Sequence, residues 1–161
     1  MTIAFILNGE DIVIEAEGGE RLVDILRNKF LLTGTKTGCD IGYCGACSVL
    51  LNGEMVKSCL IPVFKLSACE VITIEGISQT DEYKDLVMGF EEAEVTSCGI
   101  CTSGKMLAVE ALLAKNFRPS REEILYNFQG IRCRCTSAND LVRGINSVIE
   151  QRKKRLSEQQ Y

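Results

Sequence analysis

The sequence predicts an α+β chain in which a small mixed β-sheet, crossed by one helix, precedes a small bundle of four helices. Two observations predict this division: paired hairpin signals in the first 77 residues, and helical periodicity of apolar residues throughout the remainder. We therefore expect two domains, residues 1–77 and residues 78–161.

Two Asn-Gly pairs, at 8–9 and 52–53, predict the hairpins of the sheet. Asn-Gly favours a two-residue hairpin turn because both residues tolerate positive φ. The flanking strands are predicted at 3–8, 11–16, 48–51 and 55–58. Apolar residues recur at helical spacing over 21–30, and a fifth strand is predicted at 70–75.

Four amphipathic segments predict the helices of the second half. They are residues 81–94, 103–116, the segment that opens at Ser120, and 138–152. Ser120 and Glu123 form a capping-box signature, which marks a helix start. The tail after Gln151 is polar, and we expect it to fray.

The composition excludes several classes of function. A net charge of −4 leaves no basic surplus to neutralise phosphates, so nucleic acid is not an expected partner. No apolar stretch is long enough to span a membrane, and the N-terminal residues do not resemble a targeting segment. We therefore expect a cytoplasmic protein, in which disulfides are uncommon.

The chain has nine cysteines and no histidine. Without histidine there is no Ser-His or Cys-His catalytic pair, no Rieske centre and no mixed Cys/His zinc site. An odd number of cysteines cannot all pair in internal disulfides. All-thiolate metal binding and ordinary burial remain as roles for these residues.

The first cysteine group has the spacing C-x4-C-x2-C, formed by Cys39, Cys44 and Cys47, and Cys59 follows after eleven intervening residues. This is the plant-type [2Fe–2S] ferredoxin spacing. Interleaved glycines allow the backbone to turn its N–H groups toward an anionic cluster. A zinc site or a set of buried free thiols is the alternative, but zinc sites favour paired C-x2-C motifs.

The second group consists of Cys98 and Cys101, followed after 31 residues by Cys133 and Cys135. Each pair precedes a predicted helix, whose N-terminus favours thiolate over thiol. The spacing by itself leaves a four-cysteine zinc site open as an alternative to a second iron–sulfur cluster. Cys69 lies outside both groups, and we expect it to be a buried, inert thiol.

The motifs together resemble those of a known family. GCDIGYCGACSVLLNG with SCL at 58–60, TIEGI at 73–77, SCGICTSGK and RCRCT are similar to the iron–sulfur subunit of the xanthine dehydrogenase family of molybdenum hydroxylases. The resemblance runs from about Ile3 to Ile149, nearly the whole chain.

The resemblance implies a β-grasp, plant-type ferredoxin-like domain followed by a four-helix bundle, each holding one [2Fe–2S] cluster. The implied outer-cluster ligands are Cys39, Cys44, Cys47 and Cys59. The implied inner-cluster ligands are Cys98, Cys101, Cys133 and Cys135. It further implies electron transfer from a molybdopterin centre in a large partner subunit to FAD in a medium partner subunit.

Departures from the family pattern cluster around the inner site. Ser97 stands where the family has a Gln that reaches the pterin, and Ile131 stands in place of Asn. Ser103 replaces Pro, and Ser137-Ala138 replaces Gly-Tyr. The eight proposed ligands are unaffected, whereas contacts with the partner's cofactor are expected to differ.

No catalytic residues are predicted on this chain, since it has no histidine base and no G-x-G-x-x-G or P-loop motif. Substrate chemistry is expected on a partner. Two alternatives remain open at this point: a stand-alone two-cluster ferredoxin for another oxidoreductase, and a non-redox scaffold with a zinc-bearing helical bundle.

Overall fold

A computed structural model describes residues 1–158. The first half contains a five-stranded sheet of order β2-β1-β5-β3-β4. Its strands are β1 (Thr2–Leu7), β2 (Glu10–Glu15), β3 (Ser48–Leu51), β4 (Glu54–Lys57) and β5 (Glu70–Ile72). β5 is parallel to β1 and antiparallel to β3, so the sheet is mixed and the predicted α+β class is confirmed.

Both predicted hairpins form; β3 has the predicted bounds, and the other three strands begin and end one residue earlier than predicted. Asn8 and Gly9 have φ of 51° and 85°, and Asn52 and Gly53 have φ of 50° and 79°. Two consecutive positive φ values match the twist of the flanking strands, which is why Asn-Gly occurs at both turns.

One short helix, α1, crosses the sheet. It begins as a turn of α-helix at Leu22–Asp24 and continues as a π-helical segment at Ile25–Lys29. Leu22, Ile25 and Leu26 are fully buried in a core that also contains strand residues of β1, β3 and β5. The loop that follows α1 is thereby held at one end of the sheet.

The fifth strand is shorter than the predicted 70–75. It ends at Ile72, and Ile74–Ile77 forms a helical turn, α2. The cause is Asn8, whose Oδ1 accepts the backbone N–H of Thr73 at 2.8 Å. This side chain takes the donor that continued strand pairing would use, and the backbone then turns into α2.

The second half contains four longer helices. They are α3 (Asp81–Glu92), α4 (Thr102–Lys115), α5 (Arg121–Asn127) and α6 (Ala138–Glu158). Ser120 and Glu123 form the predicted capping box at the start of α5. Buried residues of the helices share one core with Leu50 and Ile77, so α4 packs directly on the sheet half.

The prediction of a frayed tail after Gln151 is wrong for the residues that the structure describes, because α6 continues to Glu158. Arg152 is buried and forms salt bridges with Asp85 of α3 and Glu110 of α4. Arg155 also pairs with Asp85, at 2.9 Å. The polar character of this segment suggested exposure to solvent, but its two arginines bind neighbouring helices instead.

None of the helices formed within residues 1–158 is both long and apolar enough to cross a membrane.

Candidate metal centres

The first four cysteines converge at one end of the sheet. Cys39, Cys44 and Cys47 lie on the loop between α1 and β3, and Cys59 lies on a 3-10 turn, Ser58–Leu60, directly after β4. Cys47 and Cys59 are buried, whereas Cys39 and Cys44 are half-buried. The thiols lie near one another in two pairs, Cys39 with Cys44 and Cys47 with Cys59.

The loop directs backbone donors at sulfur. The N–H groups of Tyr43 and Cys44 both donate to Cys39 Sγ at 3.2 Å. Gly42 and Gly45 adopt φ of 75°, in the left-handed region, and allow this wrapping. Gly38 has a different role, since a Cβ there would lie 2.9 Å from Cys44 Sγ. The sequence did not reveal Asp40, a non-glycine residue that also turns left-handed, with φ of 56°.

The thiols of this group differ in their readiness to ionise. Hydrogen bonds from backbone N–H groups, that of Ile41 first, lower the pKa of Cys39 to about 7. Burial raises the pKa of Cys59 to about 11. Metal binding releases protons from thiols and favours the thiolate form. Cys39 lies at the more exposed edge of the group and is therefore the thiol that we expect to ionise first. Cys59 lies on the buried side of the group.

The second four cysteines converge where α4 and α6 begin. Cys101 directly precedes Thr102, the first residue of α4, and Cys133 and Cys135 lie just ahead of α6. The pairs here are Cys98 with Cys135 and Cys101 with Cys133. Each pair therefore contains one thiol of the C-x2-C motif and one thiol of the C-x-C motif. This arrangement agrees with the prediction that the starts of two helices converge.

Ionisation in this group again depends on burial and backbone donors. Burial raises the pKa of Cys101 to about 11. Burial also opposes ionisation of Cys133, but N–H groups of Thr136 and Cys135 outweigh it and lower the pKa of Cys133 to about 7. Thr136 N lies 3.4 Å from Cys133 Sγ. The half-buried Cys133 therefore ionises more readily than the buried Cys101 beside it.

A lysine that sequence reasoning missed lies beside the second group. Lys105, on α4, has a side chain that is only 3% exposed. Its Nζ donates to Thr136 Oγ1 at 2.7 Å and approaches Cys133 Sγ at 3.8 Å. The sequence spacing could have revealed Lys105, because a residue four positions after Cys101 on a helix lies on the same helix face as Cys101.

The two groups are joined by backbone contacts. Arg132 N donates to Cys44 O at 2.9 Å, which connects the residue before Cys133 with a residue of the first group. A Cβ on Gly45 would collide with the carbonyl oxygen of Gly130. A Cβ on Gly104 would lie 2.7 Å from Gly45 O. The loops of the two groups are therefore in direct contact.

The donor sets fit [2Fe–2S] clusters. Each group supplies four free cysteines, the usual ligand set of such a cluster. Within residues 1–158, no three Cys, Asp or Glu side chains converge as they would around one metal ion. Cys69 lies apart from both groups and is half-buried rather than buried, with its thiol directed to Lys65 O at 3.3 Å.

Comparison with known proteins identifies both halves. Residues 5–68 match the 2Fe-2S iron-sulfur cluster binding domain, and residues 73–146 match the [2Fe-2S] binding domain. The nicotinate dehydrogenase small FeS subunit of Eubacterium barkeri is 39% identical over 150 residues, covering 93% of this chain and 96% of the relative. The chain belongs to the family of small iron–sulfur subunits of xanthine dehydrogenase-type oxidoreductases.

Two further relatives of this family are similar over most of the chain. A subunit of the probable xanthine dehydrogenase of Bacillus subtilis is 36% identical, covering 85% of this chain and 79% of the relative. The crystal structure of quinoline 2-oxidoreductase from Pseudomonas putida 86 superposes with a TM-score of 0.85 at 35% identity. That match covers 95% of this chain and 96% of the other.

The structure gives the positions of the family-motif departures. Ser97 is exposed, and its hydroxyl is hydrogen-bonded to Thr102 across the start of α4. Ile131 is buried in the helical core and lies next to Gly45. Ser137 directly precedes α6, and its hydroxyl and N–H both donate to Asp140. These residues therefore serve the packing and helix starts around the second group.

Proposed function

We propose that this chain is the electron-transfer subunit of a molybdenum hydroxylase complex. Two [2Fe–2S] clusters supply one-electron redox chemistry when bound. The proposed ligands of the outer cluster are Cys39, Cys44, Cys47 and Cys59. The proposed ligands of the inner cluster are Cys98, Cys101, Cys133 and Cys135. Electrons pass from a molybdopterin centre in a large subunit to FAD in a medium subunit.

The hydrogen bond from Arg132 N to Cys44 O carries this proposal. Electron tunnelling decays more slowly through covalent and hydrogen bonds than through empty space. A path from Cys133 through the Arg132 backbone to Cys44 contains only such bonds. The chain thereby supplies a short connection between a proposed ligand of each site, as a relay requires.

We further propose the domain division at residues 77 and 78, with a β-grasp ferredoxin-like domain followed by a four-helix bundle. The sheet crossed by α1 supports the first assignment, and the mutual packing of α3, α4, α5 and α6 supports the second. The two family matches end at 68 and begin at 73, close to this division.

The surroundings of each site favour a different partner. At the outer site, Ile41, Tyr43 and Leu60 are each more than half exposed, and we assign this apolar surface to the FAD subunit. At the inner site, Cys98 and Cys135 are exposed, and we assign that face to the molybdopterin subunit. Nine free thiols suit a reducing compartment, which favours the cytoplasm.

The test is metal analysis combined with low-temperature EPR of the anaerobically purified, dithionite-reduced protein. We expect about four irons and about four sulfides per chain, with two distinct S = 1/2 signals. Zinc at the second site with one signal would contradict the two-cluster relay. Co-purification with molybdenum and flavin subunits separates the proposed complex from a stand-alone ferredoxin, which would be isolated alone with both clusters.

A further inference from the structure

Lys105 presents a buried positive charge at the inner site. It lies in the second turn of α4, and its backbone N–H donates to Cys101 O at 2.9 Å. Its side chain is 3% exposed and extends past Thr136 toward Cys133, where Nζ is 3.8 Å from Sγ. Thr136 accepts from Nζ and in turn donates to Thr96 O, so the ammonium group is held in place.

No carboxylate neutralises this ammonium group. Among residues 1–158, Lys105 takes part in no salt bridge within 4.0 Å. Glu91 and Glu94 line the same hollow of about 450 Å³ but do not pair with it. A buried charge without a partner is strongly unfavourable, so its counter-charge must come from elsewhere.

Among residues 1–158, the outer site contains no comparable buried charge. Backbone N–H groups donate to its sulfur atoms instead, as those of Tyr43 and Cys44 do to Cys39. Arg21 lies near Cys59, but its guanidinium is already paired with Asp24 and Asp40. The buried ammonium is therefore a specific property of the inner site.

We propose that Lys105 is the built-in counter-ion of the inner cluster and raises its reduction potential. This inference rests on the proposed function. Reduction adds one electron to one of two ferric ions, so the site becomes more negative by one charge. An ammonium group beside Cys133 stabilises this reduced state more than the oxidised state, because Coulomb attraction grows with the charge.

The test compares two substitutions at this position in the assembled protein by EPR-monitored redox titration of both clusters. Lys105→Gln removes the charge but keeps an N–H donor for Thr136, whereas Lys105→Arg keeps the charge. Lys84→Gln is the matched control, since Lys84 is exposed and pairs with Asp81. The outer cluster of each variant is the internal reference.

We expect Lys105→Gln to shift the inner cluster's reduction equilibrium at least tenfold toward the oxidised form, which is 59 mV for one electron. Lys105→Arg and Lys84→Gln should retain the wild-type potential, and the outer cluster should not change. Loss of the inner cluster in Lys105→Gln but not in Lys105→Arg would also support a counter-ion.

An unchanged potential in Lys105→Gln, or equal shifts in both substitutions at position 105, would overturn the proposal. Loss of the inner cluster from both variants would show that Lys105 is needed for packing and not for its charge. This result would also overturn the proposal. These results are distinct from failure of the proposed function, which would be seen in the wild-type protein as zinc or a missing second EPR signal.

Discussion

The two candidate sites solve the same electrostatic problem in different ways. The outer site surrounds its thiols with a loop whose N–H groups face sulfur, and Gly42 and Gly45 provide the left-handed backbone. The inner site lies between two helix starts and adds the buried Lys105. The comparison teaches that an anionic cluster can be stabilised by backbone dipoles or by a full charge. Both sites use backbone N–H donors, so the outer site should depend on backbone conformation and the inner site on the charge of a side chain as well.

The largest expected effect is loss of a single cluster, which tests whether the sites are separate. Cys59→Ser should remove the outer cluster and leave the inner EPR signal, because a neutral hydroxyl replaces a thiolate ligand. Cys101→Ser should give the opposite result. Iron analysis should find about two of about four irons in each variant. Cys69→Ser is the control and should retain both signals, since Cys69 lies outside both groups.

Gly45→Ala tests the dependence of the outer loop on its backbone. The left-handed conformation costs a non-glycine residue about 1–2 kcal/mol. The new Cβ also meets the Gly130 carbonyl, which adds roughly 1–3 kcal/mol of overpacking. Gly53→Ala has the same positive φ with open space around its Cβ and should show only the first cost. Equal denaturation midpoints for the two variants would show that the contact with Gly130 is unimportant.

Arg152→Ala tests the side-chain dependence of the helical half. The substitution removes the guanidinium group that forms salt bridges with the buried Asp85 and with Glu110. Breaking a buried ion pair in this way costs about 3 kcal/mol. Denaturant unfolding should show this loss, with hydrogen exchange rising first in α3 and α6. Lys153→Ala, which removes an exposed partner of Glu150 on the same helix, should change stability little.

The smallest expected effect is the loss of stability of the helical half at low pH. The carboxyls with a lowered pKa that the structure describes all lie in the helical half: Asp81, Glu82, Glu92, Glu123 and Asp140. For Asp81 the main cause is a hydrogen bond from Lys84, and for Glu123 it is the backbone N–H of Ser120. A lowered folded-state pKa contributes stability above the unfolded value of about 4, and this stability is lost as the pH falls.

Hydrogen exchange, corrected for the intrinsic rate, should therefore rise in α3 and α5 before it rises in the strands as the pH is lowered from about 5 to about 3. Only samples that retain acid-labile sulfide at both sites should be compared, so that cluster loss does not dominate. Earlier loss of protection in β1 to β5 would contradict the assignment of acid sensitivity to the helical half.

The features that short-range chemistry determines were predictable from the sequence. Asn-Gly pairs predicted both hairpins, the capping box predicted the start of α5, and cysteine spacing predicted two groups of four thiols. The errors arose where distant residues decide the local structure. Asn8, in the turn after β1, ends β5, and Asp85 forms salt bridges that hold Arg152 and Arg155 in an ordered helix.

The contact between the two loops has a consequence for how the protein matures. Arg132 N donates to Cys44 O, and Gly45 lies against Gly130, so the backbone of each site forms part of the wall of the other. Whichever cluster is inserted first orders a segment that the second insertion needs, and thereby lowers the entropy lost in that step. We therefore expect each cluster to favour insertion of the other without being essential to it, so that a sample supplied with too little iron contains fewer one-cluster chains than independent filling predicts.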